Sequence, residues 1–303
     1  MLERIREEIA DETEKNSNNW ELNRKKVKKR LKMLPKYARK AAESVMRPMK
    51  PGKPQKLSVY QKLMLFLFTR TFGKSNRDME NILGFFEPFL EISVSYKYIE
   101  RLYSDEEVKM AMHNLFILLL RDEGISGKLS GDGTGYSLSI TKHYRTGVKK
   151  ESREYRYSFR MIDIDTGMYV GFGYSDRSEM DAFRKAMKML GSLGIRASSM
   201  RLDRYYSSKK VIRMFDRKTK LYLIPKKNLS RLGPEWTGII KRILADPYGY
   251  LKEYFLRNLS ESAFSADKRR FGWKIRQRRE DRREMAVFAI GVLHNIFSVR
   301  SVG

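Results

Sequence analysis

The 303-residue sequence contains no cysteine and only three histidines. The first absence excludes disulfides, zinc fingers and iron–sulfur clusters. His113, His143 and His294 are far apart in the chain, and each reads as a structural side chain rather than a metal ligand. A hard metal held by carboxylates is left open. Long apolar runs are also missing. The longest, such as Leu115–Leu120, reach six residues, far short of a bilayer span, so no membrane insertion is expected. The first residues, MLERIREEIADETEK, carry no apolar segment of the signal-peptide kind, which predicts a cytoplasmic protein. Acidic residues are scarce: 36 Asp and Glu face 63 Lys and Arg, a formal net charge of +27. Such an excess implies a polyanionic partner. Nucleic acid comes first and an anionic membrane surface second.

What is present is unevenly spread. Residues 1–21 hold seven acids and three bases, residues 22–56 fourteen bases and one acid, and residues 268–283 nine bases and two acids. A charge run is ordinarily a solvated face, but two basic blocks in so basic a chain predict a DNA or RNA footprint. The stretch MRPMKPGKPQK (46–56) reads as a linker, closing a charged helical arm over 1–56.

Residues 57–124 read as a helical, helix-turn-helix-like DNA-binding region. Ser75 opens Ser-x-x-Asp, a capping pattern for a helix expected to stop at Pro88. SYKYIERLY (95–103) predicts a short second helix, and Ser104 opens Ser-x-x-Glu before a third that runs to about Gly124. Any small helical bundle gives this outline. If the segment reads DNA, Lys97, Tyr98 and Arg101 are the expected contacts.

From residue 125 the texture changes. GDGTGYSLSI (131–140) and EYRYSFRMIDID (154–165) alternate as strands, and MYVGFGY (168–174) gives a third. A helix over 179–194, a strand over 198–202 ending at Asp203, a helix from Ser208 and a strand over 220–224 follow. The order predicts a mixed sheet with helices, an α+β or α/β domain over 125–303. Asp163 and Asp165 look like paired ligands but sit beside the turn glycine Gly167, and read as strand-end and turn residues.

No Gly or Pro interrupts 250–271, which predicts one helix. At about 100° per residue, Tyr254, Arg257, Glu261 and Lys268 fall within roughly 60° of one another. Leu251, Phe255, Leu259 and Ala266 form a separate stripe, expected to dock on the sheet. Asp267 falls off both faces. Arg257 and Glu261 alone would be an ordinary i,i+4 ion pair.

Tyr254-(2)-Arg257-(3)-Glu261-(6)-Lys268 resembles the Y-R-E-K signature of insertion-sequence transposases of the DDE type. The resemblance covers about 127–298. It implies an RNase H-like core whose first Asp lies on the first strand, whose second follows the fourth strand, and whose Glu lies on a later helix. Asp132, Asp203 and Glu261 occupy those places in order. Family members often carry Asp-x-Gly-Tyr at the second Asp, where this chain has Asp203-Arg204-Tyr205-Tyr206. Some carry a large β-rich insertion after it. Here 57 residues (204–260) intervene, leaving room for a small insertion at about 226–249.

The resemblance further implies two divalent ions, Mg²⁺ or Mn²⁺, held by Asp132, Asp203 and Glu261. Such a pair, about 3.5–4 Å apart, serves in-line displacement at phosphorus. Gly131 and Gly133 are expected to clear space for DNA beside Asp132. Arg257 and Lys268 are expected to grip phosphates, with Tyr254 packing on or hydrogen-bonding to the DNA end. The implied partners are double-stranded DNA, as terminal inverted repeats and target, and a second copy in a synaptic homodimer. The implied activity is cut-and-paste transposition. An RNase H-fold nuclease without strand transfer, or a non-catalytic DNA-binding derivative, would share the same core.

Overall fold

The structure is a computed structural model that describes residues 20–46, 57–90, 93–138, 155–226 and 233–299. Five helices come first: α1 (Trp20–Glu43), α2 (Val59–Phe72), α3 (Asn76–Leu90), α4 (Tyr96–Leu102) and α5 (Glu106–Glu123). The basic run of α1 packs on the rest of the fold. Ala38, Ala41 and Val45 are buried in the core, and Arg30 Nε donates to the Val299 carbonyl at 2.6 Å. Its outer face carries Lys28, Lys29, Lys32, Lys36, Arg39 and Lys40, all exposed.

Two helix boundaries differ from the sequence expectation. The box at Ser75 forms, with reciprocal bonds between Ser75 and Asp78 at 3.1 and 3.2 Å. But α3 runs through Pro88 to Leu90; the proline forfeits the one ladder bond its nitrogen would donate to the Gly84 carbonyl, and the helix ends two residues later. For α5 the cap is Asp105, not Ser104. Its carboxylate accepts from Val108 N at 3.1 Å, and a second bond to Lys62 at 2.9 Å fixes it there.

The sheet follows the sequence reading closely. Strands β1 (Lys128–Leu138), β2 (Tyr155–Asp163) and β3 (Tyr169–Ser175) form an antiparallel meander. Helix α6 (Glu179–Ser192) then leads to β4 (Ser199–Leu202), and the short helix α7 (Lys209–Ile212) leads to β5 (Lys220–Tyr222). Both β4 and β5 run parallel to β1, giving the order β3-β2-β1-β4-β5. This is the RNase H-like arrangement. Ile140 and His143 lie outside the described residues.

After β5 come α8 (Pro234–Ala245), α9 (Pro247–Phe255), α10 (Asn258–Phe271), β6 (Lys274–Ile275) and α11 (Glu280–Ser298). The small insertion expected near 226–249 contains α8, held by the buried Trp236 and Ile239; residues 227–232 lie outside the described residues. Helix α11 is buried on nearly every side, as a helix with apolar residues all round must be. It contacts β3, α1, α2 and α5. One buried cluster therefore extends from Ala38 to Val299 and joins the helical region to the sheet. Part of the second basic block is used internally. Arg282 pairs with Glu100, and Arg283 pairs with Asp176 and donates to Tyr174 Oη.

Asp163 and Asp165 are turn residues as expected. Buried Asp163 accepts from Gly127 N, Ser126 Oγ and Thr166 N. Asp165 stands 3.3 Å from Lys128 Nζ.

Candidate active site

Strand register brings the first two carboxylates together. In the parallel β1–β4 ladder Gly131 pairs with Leu202. The next residue on each strand is Asp132 and Asp203, so the two leave the ladder side by side on strands about 4.8 Å apart. Asp203 ends β4 and caps the 3₁₀ turn Arg204–Tyr206, accepting from Tyr205 N at 3.3 Å.

Helix α10 supplies the third. Ser130 and Asp132 share one face of β1, and Ser130 Oγ lies 2.8 Å from the Oγ of buried Ser260. That bond docks α10 on β1 at the residue before Glu261, near enough for Glu261 to act electrostatically on Asp132. Arg257 lies among the carboxylates: its Nη1 is 2.9 Å from Glu261 Oε1 and 3.7 Å from Asp203 Oδ1. Its Nε finds no acceptor among the described residues. The Asp132 carboxyl is pushed up to about 6, chiefly by burial, with Glu261 and Asp203 adding like-charge repulsion; Gly133 N–H and Arg257 oppose the shift.

The donor set suits a divalent ion in kind, because three hard oxygen ligands come from separate elements with no thiol among them. Among the described residues, no three carboxylate or imidazole groups stand close enough to hold an ion as they are. The cation among these carboxylates is the Arg257 guanidinium.

Over 304 aligned positions the chain is 59% identical to a probable transposase for an insertion sequence element of Archaeoglobus fulgidus, covering 100% of this chain and 94% of that protein. The chain belongs to the insertion-sequence transposases. No protein-family model matches it. Among solved structures, the piggyBac transposase in a synaptic complex with hairpin DNA aligns with a TM-score of 0.49 at 8% identity, over 87% of this chain and 70% of that one.

The stretch that carries the signature differs from the single helix expected of it. In the transposase it is two helices, α9 and α10, joined at Leu256 and Arg257 by i→i−3 bonds. Arg257 N donates to Tyr254 O, Leu259 N to Leu256 O and Ser260 N to Arg257 O. The docking face of α10 is Ser260, Ala263, Phe264, Asp267 and Phe271, not the predicted stripe through Leu259 and Ala266. Tyr254 is only 4% exposed, so its ring cannot lie on DNA. It packs against Phe255, and the Arg257 guanidinium sits 5.7 Å from its centroid.

Lys268 lies two turns beyond Glu261, half-buried between the rings of Tyr136 and Trp273 at 5.4 and 5.1 Å. Burial and the nearby Arg160 hold its ammonium below the usual lysine range. Trp273 is 58% exposed beside it.

The two glycines flanking Asp132 do not clear space for DNA. A Cβ at Gly131 would stand 2.7 Å from Met200 Cε and Phe159 Cζ, and one at Gly133 would stand 2.2 Å from Glu179 Cδ. They make room for the protein's own core and for Glu179, which accepts from the buried Tyr206 hydroxyl. In the helical region Lys97 and Arg101 are exposed on one face of α4. Tyr98 is turned inward, near Lys62, Asp105 and Glu107.

Sequence reasoning missed two buried arginines. Arg160 bonds Asp267 at 2.7 Å, and Asp267 also accepts from Tyr169 and faces His294 Nδ1. Arg201 bonds Glu253. Their signal was a charge inside an apolar strand, which requires a partner.

Proposed function

We propose that this transposase cuts DNA at its element ends and joins the freed 3′-OH ends to target DNA, using Asp132, Asp203 and Glu261 to hold two divalent ions, Mg²⁺ or Mn²⁺. The observation that carries this reading is the Arg257 guanidinium lying between Asp203 and Glu261, with the Asp132 carboxyl raised chiefly by burial and further by both acids. Asp132 and Asp203 leave neighbouring strands side by side, and Arg257 links Asp203 to Glu261, which supports a shared site that the ions would draw together.

When bound, the ions would activate the attacking oxygen and stabilise the leaving one. The chain's own groups do the positioning. Arg257, whose side chain is 20% exposed, is placed to donate to a phosphate oxygen, and Tyr254 holds it from beneath. Lys268 lies about 10 Å from Glu261 along α10, roughly three nucleotides along one strand. There it is placed to grip a second phosphate, with Trp273 beside it. The helical segment 57–124, with Lys97 and Arg101 outward, and the basic face of α1 extend the contact to flanking DNA. Joining two ends requires two copies of the chain in the synaptic complex. No described helix is long and apolar enough to cross a membrane.

The test is labelled end-containing DNA incubated with purified protein and Mg²⁺, resolved for cleaved and joined products. D132N, D203N and E261Q should each bind the ends and fail to cut them. Normal cutting by any one of them overturns the assignment.

A further inference from the structure

Arg201 lies on β4, two residues before Asp203, and is 2% exposed. Its guanidinium is fully engaged: Nε donates to the Glu253 carbonyl at 3.2 Å, and Nη1 donates to Ser199 Oγ at 2.7 Å and the Leu129 carbonyl at 3.4 Å. Nη2 meets the Glu253 carboxylate. The cation also lies 4.8 Å from the Tyr222 ring centroid.

The carbonyl bond has a specific consequence. In an unbroken helix the Glu253 carbonyl would accept from Arg257 N. Here Arg201 takes that acceptor, and Arg257 N turns to Tyr254 O at 3.2 Å instead. The ladder tightens to i→i−3 over the next residues. Each residue in such a turn advances about 120° rather than 100°, so α10 leaves at a new phase. No Gly or Pro at 251–260 dictates a break. The Arg257 guanidinium at the joint ends between Asp203 and Glu261.

A buried arginine kept for packing alone is a poor choice, since an apolar side chain of similar length does as well or better. The carbonyl bond is what an apolar residue could not supply. We propose that Arg201 is a positioning residue for DNA cleavage: by drawing the Glu253 carbonyl out of the helix ladder, it makes the joint that delivers Arg257 to the carboxylates. This inference rests on the role of Arg257 given above.

The experiment is a double-mutant cycle on end-containing DNA, with cleavage rate per folded protein read beside thermal unfolding. R201M should lower the cleavage rate at least tenfold. E253A, which removes the carboxylate but keeps the carbonyl, should stay within about twofold. On an R257A background, R201M should add less than about twofold, because its effect runs through Arg257. Full multiplication of the two losses would mark Arg201 as merely structural and overturn the proposal, as would an undiminished rate in R201M. If R201M does not fold, R201K carries the same cycle, since it keeps the charge but loses the fork of donors; an undiminished rate or a fully multiplicative loss overturns the proposal again. Normal cleavage by R257A alone would instead overturn the role given to Arg257, and this proposal with it.

Discussion

Helix α10 carries two acidic residues six positions apart, Glu261 and Asp267, and each meets an arginine in a different setting. Asp267 and Arg160 are sealed between helix and sheet, with side chains 1% and 0% exposed. Both Asp267 oxygens are taken, by His294 on one side and by Arg160 and Tyr169 on the other. These partners hold its carboxyl below the usual carboxylate range in spite of burial, which acts to raise it. Around Glu261 the opposite holds. Its side chain is 52% exposed and Asp203's is 39% exposed, Arg257 keeps an unpartnered Nε, and Asp132 is raised rather than lowered. A closed network fixes the helix on the sheet. An open one, with excess negative charge at an exposed edge, has the character of a site rather than of a structural clamp.

The largest expected effect separates the two directly. D203N should reduce cleavage on the order of 10⁴-fold while leaving the unfolding midpoint unchanged, because Asn caps a turn as well as Asp does. Next comes the converse. D267N strips the buried Arg160 of its counter-charge and should cost about 3–5 kcal/mol by denaturant unfolding. An unchanged midpoint in D267N, or a large stability loss in D203N, would erase the distinction between the clusters.

Much of this was legible in the sequence, for identifiable reasons. Alternation located β1 and β2, and the end of an apolar stretch located Asp203, because both signals are local. The grouping of Asp132 and Glu261 with Asp203 came from the family resemblance and not from a local signal. The joint at Leu256–Arg257 was not legible, because the group that breaks the ladder, Arg201, is some fifty residues away. The same holds for Gly133, whose missing side chain is filled by Glu179, and for Asp105, chosen over Ser104 as a cap by Lys62 from another helix. The wheel that placed Tyr254 in an exposed arc failed for the same reason: it assumed one helical phase across the joint, and Tyr254 is buried.

A smaller effect follows from the burial of Asp132 in this cluster, to which the neighbouring acids add. Asp132 ionises at about 6 in the folded chain against an ordinary 3.8. The folded state therefore binds the extra proton between these values, and stability falls as pH rises through that window. Two units set an upper bound of about 3 kcal/mol on the cost above pH 6. In chelator, D132N should melt higher than wild type at pH 7, with the gap closing toward pH 4. Equal melting temperatures at both pH values would show that the open cluster carries no such strain.

The smallest effect extends the same contrast to the helical region, where α4 also has a closed side and an open one. Tyr98 is half-buried near Lys62, Asp105 and Glu107, whereas Lys97 and Arg101 face solvent one turn apart. If the open side meets DNA backbone, each lost phosphate contact lowers the slope of log K against log salt by about 0.9. The double variant K97A/R101A should therefore flatten that slope by about 1.8, with unfolding unchanged and preference for the element end kept, since phosphate contacts position without reading sequence. Tyr98→Ala should do the reverse, lowering stability through a lost packing contact with little change in slope. A double variant that keeps the wild-type slope would place DNA elsewhere on this basic surface, with the exposed lysines of α1 the next face to test.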